Sequence, residues 1–248
     1  MWRPLAVVGL VLLAGCSGFL GTDAGGPDRT VTPAPLPETP TDRPVELPRA
    51  NGSVDLQRVL VRHDTALAGR NFHRRVVREG PRNTRDVWVD RDADIVRVRR
   101  TLGPVADDAV VADGTLYRSV SDDPNRDYFT TPSDGSVPYV STLSGVTLLR
   151  VFLTDYDYER VGTVTRNDRT LAVLSTNDTD VPITAGDPDQ TVAVRSRVYV
   201  DRGGVVRYVD HYERDSDGTN RTVQMRVTTG TDRIAVPWWL ADVDIYAG

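Results

Sequence analysis

Apolar side chains at Leu56, Val59, Leu60, His63 and Leu67 recur three or four residues apart until Gly69. That spacing predicts a helix with one apolar stripe, capped by Ser53. Past it the period falls to two. The segments "FHRRVVRE", "RDVWVD", "IVRVRR", "AVVAD", "LYRSVS" and "DYFTT", and later "YERVGTVTR", "TLAVLST", "VAVRSRVYV", "VVRYVDHYE" and "TVQMRVTT", read as strands. Their separators, Asp113-Gly114, Asn167-Asp168, Arg202-Gly203-Gly204 and Ser216-Asp217-Gly218, tolerate the positive φ of tight hairpins, so consecutive strands should pair as an antiparallel meander. Between the two groups, residues 139–155 read as a second helix or helical lid despite Gly145. The final stretch "IAVPWWLADVDIY" reads as a strand that turns helical after Pro237. The expected class is α+β: a curved antiparallel sheet of about ten strands with one or two helices on its concave face. Arginines interrupt the apolar face of several strands, as in a sheet with one solvated and one helix-covered face, or in a wide sheet of poor contrast.

The N-terminus follows a different pattern. Met1-Trp2-Arg3-Pro4 leads into the uncharged run Leu5 to Leu13 and then Ala14-Gly15-Cys16, the layout of a secretory signal peptide. A run this short cannot span a bilayer, which takes about 20 apolar residues. Leu13-Ala14-Gly15-Cys16 resembles the lipobox of bacterial and archaeal lipoproteins, which implies that Cys16 is lipidated and becomes the new N-terminus. A single arginine precedes the apolar run, so a twin-arginine signal is not indicated. Residues 17–52 hold seven of the 16 prolines and few large apolar residues, the composition of an extended Thr/Pro-rich tether. The organisation read here is a signal peptide over 1–15, a lipidated cysteine with tether over 16–52, and one antiparallel-sheet domain over 53–248. Export and anchoring to the outer face of the cell membrane by the lipid follow from it.

Composition sharpens this picture. Cys16 is the only cysteine, so the exported domain has no disulfide and no thiolate metal site. All 30 basic residues are arginine and 30 of the 35 acids are aspartate, a usage that resembles proteins of extremely halophilic archaea. With a net charge of −5 and arginines interleaved with aspartates, there is no basic footprint for nucleic acid. The sequons at Asn51, Asn177 and Asn220 fall in loops or at element ends, where N-glycans attach to exported chains.

Candidate chemistry is sparse. His63 lies on the apolar helix stripe, where a satisfied core histidine is the plain reading, and His73 and His211 sit in strands among charges. The zincin, nucleophile-elbow, Walker and dinucleotide-binding motifs do not occur, so no enzyme is expected, and neither a cofactor nor a resident metal. Asp90, Asp92 and Asp94 have calcium-loop spacing, but Ile95 and Thr101 stand where an EF-hand needs glycine and glutamate. A hairpin turn is the simpler reading, with calcium binding by the isolated loop left open. Asp215-Ser216-Asp217-Gly218 reads as a turn in the same way.

Lipobox, tether, amphipathic helix, a meander broken by a helix, and the late hairpin "RSRVYVDRGGVVRYVDHYER" together resemble haloarchaeal surface lipoproteins. Their order resembles the half-barrel of the LolA and LppX lipoprotein-carrier group. That resemblance implies a hydrophobic cavity under the helices that holds lipid or another apolar ligand. Leu56, Leu60 and Leu67 of the first helix, Leu148, Val151 and Phe152 of the second, and Trp238 and Trp239 at a rim or lid would then line it. The competing reading is an envelope structural or interaction module with a filled core, in which the same side chains are ordinary packing.

Overall fold

The computed structural model describes residues 44–120, 129–132, 143–178 and 191–246, all within one compact unit that runs from Arg43 to Gly248. Cys16 and its leader, most of the tether, and residues 139–142 of the expected second helix lie outside the described residues.

A short hairpin, β1 (Arg49–Ala50) and β2 (Ser53–Val54), leads into helix α1 (Leu56–Ala68). Its apolar stripe is as the spacing predicts: Leu56, Val59, Leu60, His63 and Leu67 are the buried residues, and Gly69 is the C-cap. The N-cap differs from expectation. Asp55 accepts the Arg58 backbone N–H at 3.0 Å, while Ser53 is held in the β1–β2 ladder. The end of the expected tether also belongs to the fold, because Val45 is 2% exposed and its carbonyl accepts from Arg160.

Strands β3 (Phe72–Arg78), β4 (Asn83–Asp90), β5 (Ile95–Leu102), β6 (Val105–Ala112), β7 (Thr115–Val120) and β8 (Phe129–Pro132) form one meander. After helix α2 (Val146–Leu153), strands β9 (Glu159–Arg166), β10 (Arg169–Asp178), β11 (Thr191–Asp201), β12 (Val206–Asp215) and β13 (Asn220–Thr229) form a second. The two join through β3 and β13 at the centre of one open 11-stranded antiparallel sheet, with β8 and β9 at its edges. The result is an α+β half-barrel, with the antiparallel meander that the periodicity predicts and the open, helix-covered sheet that the resemblance implies. The turns have the expected chemistry: Asp113 and Gly114 both take positive φ, 48° and 65°, as do Asn167 and Asp168.

Side-chain alternation gives the sheet a helix face and an outer face. On the helix face, Phe72, Val76, Val87, Val198, Val209, Val223, Met225 and Val227 pack against Leu60 and Leu67 of α1 and Leu149 and Leu153 of α2. Helix α2 is shorter than expected because Gly145, at φ +86°, is its N-cap. Gly145 backs onto Arg74, which is 2% exposed on the helix face of β3.

The C-terminal segment departs from its expected strand. Residues 231–237 carry no ladder, and one 3₁₀ turn covers Trp238–Leu240. Ile234, Trp239, Leu240 and Ile245 instead pack on Ile95, Val110 and Ala112, on the outer face of β5 and β6. Pro237 lacks the N–H that ladder pairing would need. Beneath it the Arg97 guanidinium donates to both oxygens of Asp108, at 3.0 and 2.7 Å, and to the Ala235 carbonyl at 2.9 Å. Trp239 Nε1 donates to the same carboxylate.

Candidate functional site: an arginine-lined cavity on the helix face

The register of β4 to β7 builds three rows of side chains on the helix face. The first is Val89, Val96, Val111 and Leu116; the second is Val87, Val98, Ala109 and Arg118; the third is Arg85, Arg100 and Asp107. Each row is two residues along the strands from the next, or about 7 Å. The face therefore grades from apolar to charged. A cavity of about 330 Å³ opens over these rows, with Val98, Ala109 and Leu116 on its apolar side and Arg85, Arg100, Asp107 and Arg118 on the other. Asp107 accepts two hydrogen bonds from Arg118, from Nε at 2.8 Å and Nη2 at 2.9 Å. Arg78, at the end of β3, completes the rim and places its guanidinium 5.4 Å from the ring centre of Phe152 at the end of α2.

Of the residues the sequence nominated for a cavity, none lines this one. Leu56, Leu60 and Leu67 are 6, 0 and 1% exposed within the main core. Leu148 and Phe152 pack on that core half-buried, while Val151 is exposed. Only Phe152 approaches the cavity, through Arg78. The two tryptophans lie elsewhere: Trp239 is buried on the outer face and Trp238 is exposed. The cavity arginines were not singled out from sequence. Their one visible signal was the interruption of the apolar alternation, which acquires a location only once the strands are in register.

The histidines have structural surroundings. His63 is fully buried; its Nδ1 accepts the Val206 N–H at 3.1 Å, so Nε2 carries the proton donated to the Ser144 carbonyl at 3.0 Å. Burial lowers its pKa to about 4, against a smaller opposing contribution from the Ser144 hydrogen bond. His73 stacks on Trp88 at 4.7 Å and lies 2.8 Å from Asp86. His211 Nε2 lies 2.9 Å from Glu213, and Ser196 is directly opposite His211 in the ladder. Burial works to raise the Glu213 pKa, but hydrogen bonds from His211 and Tyr156 and the charges of His211 and Arg221 outweigh it and hold it low. Serine, histidine and carboxylate on one face invite comparison with a nucleophilic triad. At 0, 1 and 7% exposure they are closed to any substrate.

Among the described residues no group of three or more metal-ligating side chains converges. The Asp90 loop is a hairpin turn in which Asp90 accepts the N–H groups of Asp92 and Ala93. Asn51, Asn177 and Asn220 are exposed, at a turn or a strand end. No described helix is long and apolar enough to cross a membrane.

No protein-family model matches the chain, and no curated protein matches it. Among solved structures it is similar to lipoprotein LppX of Mycobacterium tuberculosis, at 15% identity over 70% of this chain and 93% of that one, with a TM-score of 0.39. It is similar to LprF from Mycobacterium bovis at 12% identity over 73% and 95% of the two chains, also with a TM-score of 0.39. A chain of the MucA/MucB complex of Pseudomonas aeruginosa gives 20% identity over 73% of this chain and 59% of that one, with a TM-score of 0.36. Likenesses of this size carry no argument about ligand or activity, which rest on the cavity's own residues.

Proposed function

We propose that the chain is an exported lipoprotein, held on the outer face of the cell membrane through Cys16, whose half-barrel binds an apolar or amphiphilic ligand. The observation that carries this reading is the cavity of about 330 Å³ on the helix face of β4 to β7. Its volume falls in the range of small-molecule sites, and its walls combine an apolar floor with a few convergent polar groups. The ligand lies beside the helix pair instead of beneath it, because the space under α1 is filled by Leu56, Leu60 and Leu67. The protein is a binding protein in this account, not an enzyme.

Native mass spectrometry of the purified protein tests the ligand: a co-purifying small amphiphile released on denaturation supports the reading. The anchor has its own test. Cys16→Ser removes an attachment worth about 0.8 kcal/mol per buried CH₂, so the variant leaves the membrane fraction for the medium or stays an uncleaved precursor. A processed variant that remains membrane-bound contradicts the anchor.

The second reading, an envelope interaction module without a small-molecule ligand, is favoured by the closed packing around Leu60, which is 0% exposed. Its signature is a ligand-free mass whatever the host from which the protein is purified.

A further inference from the structure

On the outer face of the sheet, the register of β3, β13, β12 and β11 lines up Arg75, Arg226, Tyr208 and Tyr199 in one row. All four line a recess of about 310 Å³, separate from the cavity over β4 to β7. Arg75 and Arg226 stand directly opposite each other, and like charges so placed destabilise a sheet. Neither forms a salt bridge among the described residues. Asp86, on the other side of Arg75, holds His73 at 2.8 Å. Asp210, the one carboxylate among the lining residues, sits one row on, about 7 Å along the strands, and accepts from Gln224 at 3.4 Å. A third arginine, Arg166 of β9, places its guanidinium 4.7 Å from the ring centre of Tyr199 and 5.4 Å from that of Tyr208. The Arg226 guanidinium lies 5.8 Å from the same Tyr208 ring. The two rings meet edge to face at 6.1 Å, and Asn167 donates to the Tyr208 hydroxyl at 3.2 Å.

We infer that this recess is a second binding site, for the phosphate or sulfate group of a small solute held between Arg75, Arg226 and Arg166. The site stands whether or not the cavity over β4 to β7 takes a ligand. A guanidinium stacked on an aromatic ring is held by its face, which leaves its in-plane N–H donors free. The tyrosines therefore order Arg166 and Arg226 without consuming their hydrogen bonds. An oxyanion that accepts those bonds also separates Arg75 from Arg226 and removes their repulsion, and charge-assisted bonds of this kind are stronger than neutral ones. Three guanidinium forks offer more donors than the two oxygens of a carboxylate can fill, which favours a tetrahedral group. Because Arg166 stands over the rings, the site is a recess, a shape that a single solute group fills and a bilayer surface does not.

Isothermal titration of inorganic phosphate into the full chain carrying Cys16→Ser, which has no lipid of its own, tests this at one ionic strength. Binding is saturable, and Arg75→Gln and Arg226→Gln each weaken it about tenfold or more, the effect of losing hydrogen bonds to a charged group. Arg226→Lys retains part of the affinity, because the charge stays while the fork is lost. Arg197→Gln removes the same charge from an exposed position on β11 outside the recess and leaves the affinity unchanged. Arg75, Arg197 and Arg226 are all exposed, so these variants keep the wild-type melting transition. Absence of phosphate binding, or undiminished affinity in both Arg75→Gln and Arg226→Gln, overturns the inference. An equal loss in Arg197→Gln overturns it too, since the effect then belongs to the general field of the surface. A chain that binds no phosphate but floats with phosphatidylglycerol vesicles, and not with phosphatidylcholine vesicles, overturns the solute in favour of a membrane surface.

Discussion

The Nδ1 atom of His63 accepts the backbone N–H of Val206 at 3.1 Å, tying helix α1 to the start of β12. Because that bond needs an unprotonated nitrogen, the fold requires neutral imidazole. Burial holds the His63 pKa at about 4, below the 6.5 of an exposed histidine. Between these values the unfolded chain binds more protons than the folded one, so stability falls as pH drops through this window and is complete above it. The shift corresponds to about 3 kcal/mol. His63→Gln should flatten the difference in urea-unfolding stability between pH 7 and pH 4 by about that much relative to wild type. An unchanged pH profile removes His63 as its source.

Gly145→Ala should cost about 2 kcal/mol in chemical denaturation. A methyl group there must adopt φ +86°, and its carbon would stand 2.5 Å from Arg74 Nη1. A variant as stable as wild type would show that neither the backbone conformation nor the contact constrains the entry to α2.

Asp108→Ala should cost about 3 to 5 kcal/mol, since it strips a buried guanidinium of its carboxylate. It also removes the acceptor of Trp239 Nε1, so tryptophan emission should shift to the red as the C-terminal segment loosens from β5 and β6. Wild-type emission and stability together would contradict the role given to the Arg97–Asp108 pair.

A chain beginning at Ser53 should melt below one beginning at Pro44. Residues 44–52 contribute the buried Val45 side chain, the acceptor for Arg160 and the β1 half of a hairpin. Burial of the valine alone is worth about 1.5 to 3 kcal/mol. Identical melting temperatures would return these residues to the tether.

Local features of this fold were legible because the chain repeats them. The α1 stripe from Leu56 to Leu67 and the positive-φ turns at Asp113-Gly114 and Asn167-Asp168 each follow from a few adjacent residues. What joins distant segments was not legible. Nothing in "FHRRVVRE" or "TVQMRVTT" says that β3 and β13 pair, and that contact makes one sheet of two meanders. Alternation assigns a residue to a face only relative to its own strand. Arg97 is 9% exposed under the C-terminal segment, while Arg100 on the opposite face of β5 lines the cavity. The site came from register, and periodicity alone carries no register.

The central claim is that ligand binds over β4 to β7 and not beneath α1. The affinity of a fluorescent acyl probe for wild type, Ala109→Trp and Leu60→Trp separates the two places most directly. Ala109 lines the cavity, so a tryptophan there should abolish probe binding. Leu60 sits in closed packing, so Leu60→Trp should lower stability by about 1 to 3 kcal/mol through overpacking and leave the affinity of the folded protein unchanged. Loss of binding in Leu60→Trp with wild-type affinity in Ala109→Trp would contradict the account and place the ligand under the helix.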